Sequence, residues 1–181
     1  AALTGNSAAT LNLTGSSDTV FTATTGSNKL ATINAGSFSG DLTLPAATAA
    51  LNQTITTGTG NDTVAMGARL TAADTIDLGG NSLIAGTATT GGDTLTATGN
   101  IGSVLAASAL NISNVEAYEQ SIGAQAATYI DASKLSNVSS LAFSNDTNGG
   151  TVKLTNVASG QKIGLGIGAS AANVVELGKS T

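Results

Sequence analysis

The sequence predicts an all-β fold, a right-handed parallel β-solenoid (β-helix) of about nine rungs. Aliphatic centres recur at a near-constant period, a polar residue stands before most of them, and aromatic residues make up only 3% of the chain. The centres are Leu11, Ile33, Ile55, Ile76, Leu95, Ile112, Ile130, Val152 and Val174, separated by 17 to 22 residues. Repeats of that length are single supersecondary units that bury their apolar face only by stacking on neighbours. The residues just before the centres are Thr10, Thr32, Thr54, Thr75 and Thr94, then Asn111, Tyr129, Thr151 and Asn173. This alternation reads as an outward polar ladder beside an inward aliphatic one.

A second series, Val20, Leu42, Val64, Leu83, Val104, Ile122, Leu141 and Ile163, falls between the first, so each rung carries at least two strands. A β-sandwich, whose short strands also recur every ~8–12 residues, is the competing architecture. Two interleaved series and the scarcity of ring anchors favour the solenoid. Right-handedness follows from the general sense of parallel crossovers. Corners fall at Gly26-Ser27-Asn28, Gly79-Gly80-Asn81, Gly91-Gly92-Asp93 and Asn148-Gly149-Gly150, where small and turn-forming residues cluster. Ala-rich stretches at 45–51, 67–73 and 101–110 read as single helical turns at corners. No internal boundary is visible, so residues 1–181 form a single solenoid domain. Its opening, AALTGNSAAT, reads as a piece of a longer surface protein whose further domains lie elsewhere.

Composition narrows the chemistry. Cys, His and Trp are absent, which removes disulfides, thiolate and imidazole metal sites and any Ser-His-Asp arrangement. Six basic residues against eleven acidic ones leave a net charge of -5 and no footprint for nucleic acid. No apolar run approaches the ~20 residues of a membrane span, so direct membrane insertion is not expected. Hard cations are the charged partners that suit an acidic chain of oxygen donors.

Residues 57–65, TGTGNDTVA, match the calcium nonapeptide G-G-x-G-x-D-x-U-x with Thr57 in place of the first glycine. In that motif Gly58 and Gly60 permit tight bends that aim carbonyls inward, Asp62 supplies a carboxylate and Val64 enters the core. A decayed copy runs from Asp77 through Gly79 and Gly80 to Leu83, with Asn81 where a carboxylate would stand. Asp74 and Asp93 each precede a strand centre by two residues, Ile76 and Leu95, which predicts that they stack. Stacked carboxylates one strand step apart repel unless a cation, a proton or water relieves them. Two readings stay open: calcium held among Gly58, Gly60, Asp62, Asp74, Asp77 and Asp93, or solvated acids beside glycine corners.

The stretches TGTGNDTVAMGARLTAADTIDLGG (57–80), GGDTLTATG (91–99) and LNISNVEAY (110–118) resemble the RTX superfamily of calcium-binding secreted proteins, and more narrowly bacterial surface-layer proteins. That resemblance implies type I secretion, calcium-dependent folding or lattice assembly, and a place in a crystalline coat outside an outer membrane. It implies no catalytic activity. The family's calcium β-roll uses consecutive nonapeptides, and this chain has one good copy.

A β-helical polysaccharide lyase would share the architecture, but it needs acids clustered with Arg or Lys, and Arg69 is the single arginine. Glu116 and Glu119, the close glutamate pair, read as a solvated corner. The T-x-T triplets at 22–24, 54–56 and 94–96 do not share one register on every rung, which argues against an ice-binding face. The expected function is a structural component of an extracellular surface layer that self-associates into a lattice or filament. An adhesin or stalk segment is the alternative, and aromatic rings displayed on the surface would favour it.

Overall fold

The computed structural model describes residues 9–21, 29–45, 51–81, 92–98, 110–121, 127–135, 137–144, 151–166 and 174–178. Its strands are parallel throughout, and the chain winds as a β-solenoid of about five turns, with further strands continuing the stack. β1 (Thr10–Gly15) and β2 (Thr19–Val20) make the first turn, and β3 (Thr32–Phe38) and β4 (Leu42–Leu44) the second. The third turn is β5 (Thr54–Thr56) with β6 (Thr63–Gly67). The fourth is β7 (Thr75–Asp77) with β8 (Thr94–Thr98), and the fifth is β9 (Asn111–Ser113) with β10 (Ala117–Ser121). Odd strands β1 to β9 form a five-stranded sheet, and even strands form a seven-stranded sheet that continues through β12 (Ser140–Ser144) and β14 (Lys162–Gly166). β11 (Ala127–Asp131), β13 (Thr151–Thr155) and β15 (Val174–Gly178) form a separate three-stranded sheet.

Register decides what stacks. On the five-stranded face, Thr10, Thr32, Thr54, Thr75 and Asn111 align, as do Leu11, Ile33, Ile55, Ile76 and Ile112. The isoleucines are buried while the residues beside them face outward, the period-two pattern of a strand covered on one side. On the opposite face Leu44, Val64, Leu95, Tyr118, Leu141 and Ile163 align. Burying each large aliphatic of these ladders contributes ~1.5–3 kcal/mol, so the two inward rows dominate stability. The outward row is tied by side chains: Asn34 donates to Asn12 (3.3 Å), Asn111 to Thr75 (2.9 Å) and Asn114 to Asp77 (2.7 Å).

The nine predicted centres therefore do not form one column of nine rungs. Leu95 belongs to the seven-stranded face, and Ile112 is what stacks on Ile76. The turn between them is enlarged, and evenly spaced centres absorbed the extra length by borrowing Leu95 from the other face. In the three-stranded sheet Ile130 aligns with Leu154 and Leu154 with Leu177, while Val152 aligns with Thr128 and Val174 with Thr151. Val20 is 57% exposed and points outward, so it is not an inward centre. Leu83, Val104 and Ile122 lie outside the described residues.

The expected helical turns fare differently. Residues 67–73 form reverse turns, with Arg69 N donating to the Met66 carbonyl and Asp74 N to that of Thr71. Residues 46–50 and 101–109, the bulk of the other two, lie outside the described residues, as do the corners at 26–28 and 148–150 and Gly91. Among the described residues the helical element is a single 3-10 turn, Ala132–Leu135. Asp131 opens it by accepting from the Ser133 backbone N–H (3.1 Å) and hydroxyl (2.7 Å).

Stacked backbones approach closely where the nonapeptide places its glycines. A Cβ on Gly58 would overlap the Phe38 carbonyl, and one on Gly60 would overlap that of Gly40. Gly80, one turn on, has nothing within 4 Å of such a carbon. Gly58→Ala is expected to cost at least ~2 kcal/mol through forced backbone displacement, lowering the melting temperature by roughly 5 °C or more. Gly80→Ala should stay within ~0.5 kcal/mol. Thermal unfolding followed by circular dichroism compares them directly.

Candidate functional site

Parallel stacking brings an acid to nearly every turn at one corner, immediately before the strands of the seven-stranded sheet. Asp18, Asp41, Asp62, Asp93 and Glu116 precede β2, β4, β6, β8 and β10, and the next two turns place Ser139 and Gln161 there. Each carboxylate is tied to an adjacent turn by a backbone N–H. Asp18 accepts from Asp41 N (3.0 Å), and Asp41 from Asn61 N (2.8 Å). Between β4 and β6 the register steps by one, with Thr43 on Thr63, so Asp41 and Asp62 do not align and the direction reverses: Asp62 accepts from Leu42 N (2.8 Å), Asp93 from Asp62 N (2.6 Å) and Glu116 from Asp93 N (2.9 Å). Corner amides that the sheet ladder leaves over are satisfied by carboxylates, which is a structural reason for acids in this column.

Burial concentrates in the middle of the column. Asp62 and Asp93 are 1% and 0% exposed, whereas Asp18 and Asp41 are open to solvent. In both buried acids one oxygen is hydrogen-bonded and the other, Oδ2, has no partner. Burial is the main cause that pushes the Asp93 carboxyl from its ordinary 3.8 up to about 7, with the nearby charges of Asp62, Glu116 and Asp41 adding to it. The Asp62 N–H bond works in the opposite direction.

The sequence-predicted residues fall into three places. Asp62 and Asp93 are neighbours in the corner column, joined also by Thr94 N donating to the Asp62 carbonyl (2.8 Å). Asp74 is not stacked on Asp93: it sits on the opposite corner, before β7 of the five-stranded sheet. Its Oδ1 accepts from Gln53 N (2.6 Å) and its Oδ2 from the Thr71 N–H and hydroxyl (2.7 and 3.0 Å), so both oxygens are committed. Asp77 ends β7 and accepts from Gly79 N and from Asn114, which adopts a left-handed corner conformation at φ 53. Gly58 uses its carbonyl along the solenoid axis, accepting from Gly80 N (2.8 Å). Gly60 lies against Gly40. Thr57, the departure from the motif, donates its hydroxyl to the Leu78 carbonyl of the next turn (2.7 Å) while 1% exposed.

Of the calcium donors that the resemblance implies, the structure brings Asp62 and Asp93 together and commits Asp74 and Asp77 to other corners. Calcium takes about six to eight oxygens, often including water. Asp62 and Asp93 offer one uncommitted carboxylate oxygen each, in a place closed to solvent. Among the described residues no three acidic side chains converge on a point that could hold a metal ion. The solvated-acid reading, made for Asp74 and Asp93, fails because both are buried, as is Asp62.

Asp18, Asp41 and Glu116 were missed as members of this corner. Their signal was in the sequence: in Asp18-Thr19, Asp41-Leu42, Asp62-Thr63, Asp93-Thr94 and Glu116-Ala117 an acid directly precedes a strand. Glu116 is thus a bonded corner residue, and only Glu119 of the glutamate pair faces solvent. Comparison of the chain with protein-family models, with curated proteins and with solved structures finds no match.

Removing a fully used buried carboxylate should cost more than removing a half-exposed one. Asp74→Ala strands the Gln53 and Thr71 amides and is expected to lose ~2–3 kcal/mol. Asp77→Ala should lose about 1 kcal/mol or less. Urea unfolding midpoints of the two variants test that order.

Proposed function

We propose that this chain is a structural segment of a secreted bacterial surface layer, a β-solenoid whose role is to self-associate into an extracellular lattice or filament. One observation carries the reading: the chemistry-bearing side chains are spent on holding the turns together. The acids of the corner column accept backbone amides, and the Asn and Thr side chains of the outward row bond one another. A parallel solenoid is polar along its axis, and strand edges at its ends are a natural surface for continuation by another copy or by another domain of a longer chain. A right-handed sense is the one parallel crossovers favour. Low charge, with Asp, Glu, Lys and Arg at 9% of the chain, suits lateral packing of such rods.

Three of the five rings count against the adhesin or stalk alternative. Phe38, Tyr118 and Phe143 are buried at 6%, 0% and 2% exposure, so they are core anchors and offer no face to a sugar. Tyr118 lies against its neighbour Gln120, to whose side-chain oxygen its hydroxyl donates (3.3 Å).

Assembly is measurable directly. Concentrating the purified chain, with calcium and separately with a chelator at matched ionic strength, should yield ordered arrays or filaments by negative-stain electron microscopy and a concentration-dependent sedimentation coefficient. A chain that stays monomeric in both conditions yet is retained on glycan or cell-surface arrays would replace the surface-layer reading with the adhesin one.

A further inference from the structure

We infer that the outward face of the seven-stranded sheet is the contact between two copies of this chain, packed face to face so that Glu119 of each copy meets Lys162 of the other. The inference rests on the self-association proposed above and names the surface that carries it.

The face is a product of strand alternation. Along β6 to β14 every second side chain turns inward, as Val64, Leu95, Tyr118 and Leu141 do, and the residues between them turn out. The outward residues of these strands are Thr, Ala, Ser and Gly, apart from Glu119 on β10 and Lys162 on β14. The row that ends on Lys162 runs back through Ser140, Ala117 and Thr94, and the next row sets Glu119 between Thr96 and Ala142. Short side chains keep the surface level, so a second sheet can come up to it. Glu119 and Lys162 are exposed, and they stand out from that surface.

Their arrangement is what a twofold contact requires. In such a contact one patch meets itself, so each charge must face its opposite at the symmetry-related point. Glu119 and Lys162 lie two strand steps apart, ~10 Å along the solenoid, with β12 between them. A twofold axis in the plane of the face, passing over β12, exchanges their positions and makes two acid–base pairs at once. A lysine on the face also opposes the long-range repulsion between copies that each carry a net charge of -5.

The five-stranded face lacks this property. Its outward side chains bond within the copy, Asn34 to Asn12 and Asn111 to Thr75. Its outward charge is Asp77, and among the described residues its strands carry no lysine or arginine. Two such faces would set acids together with no base to answer them. Charge complementarity therefore selects the seven-stranded face, and a second copy as its occupant.

Sedimentation equilibrium of the whole chain is the test. Glu119→Lys and Lys162→Glu each place like charges opposite one another and are expected to weaken the parent dimer ~10-fold or more. Combining the two exchanges the signs and should bring the dissociation constant back to within ~3-fold of the parent. Thr54→Lys, on the five-stranded face, should leave it within ~2-fold. Both charged side chains are exposed, so all these variants should keep the parent's melting temperature. The inference is overturned if the parent dimer is indifferent to both reversals, if the combined variant stays as weak as the single ones, or if Thr54→Lys is the change that abolishes association. A parent that stays monomeric at every concentration overturns it together with the surface-layer reading. Reversal-sensitive dimers that never grow into arrays or filaments sustain it and count against the lattice alone.

Discussion

Everything in this structure follows from parallel backbone pairing that repeats one strand step from turn to turn. In such a stack a residue meets its own equivalent above and below, so each sequence position becomes a column. Columns of isoleucine and leucine are favourable, because identical aliphatic shapes nest and leave no polar atom inside. Columns of Asn and Thr are also favourable, since each side chain both donates and accepts; Asn34 on Asn12 and Asn111 on Thr75 show this. A column of acids is the one arrangement that the geometry penalises, and this chain contains one.

The acid column persists because its members answer a need of the backbone. A solenoid corner turns amide groups away from the sheet ladder, and a carboxylate reaching from an adjacent turn satisfies them. At the exposed end of the corner, where Asp18 and Asp41 stack one residue out of register with Asp62, water screens the repulsion. In the middle, the same arrangement is carried into a dry interior at Asp62 and Asp93. There a backbone that asks for acceptors meets an interior that rejects charge, and each carboxylate keeps one oxygen without a donor. Past Glu116 the column changes to Ser139 and Gln161, which keep hydrogen-bonding capacity without charge; Gln161 donates to the Leu135 and Val138 carbonyls.

Much of the fold was legible in the sequence because columns leave a period behind. The Thr10, Thr32, Thr54 and Thr75 series and its isoleucine companions emerged in their observed register. Legibility failed where the period did. The enlarged turn carries β8 far from β7 in sequence, and Leu95, flanked by threonines just as Ile55 is, imitates a centre of the wrong face. That error propagated to the site, since it paired Asp93 with Asp74 and hid the Asp62–Asp93 contact. Glycines at 58 and 60 were recognised from the nonapeptide, but the sequence could not distinguish carbonyls aimed at an ion from backbones pressed together. In the structure the Gly58 carbonyl accepts from Gly80 N and Gly60 is pressed against Gly40.

The register across the enlarged turn is the claim on which both the fold and the acid pair rest, and a disulfide scan reads it most directly. The chain has no cysteine, so introduced pairs report without background. Thr75→Cys combined with Asn111→Cys places two thiols on directly aligned residues of adjacent parallel strands, and Thr75→Cys combined with Thr94→Cys places them on opposite faces. The account predicts rapid cross-linking under mild oxidation of the first pair and none of the second, since a disulfide needs Cα atoms within about 7 Å. Cross-linking of the second pair in place of the first would show that evenly spaced rungs are correct, and would remove the contact between Asp62 and Asp93.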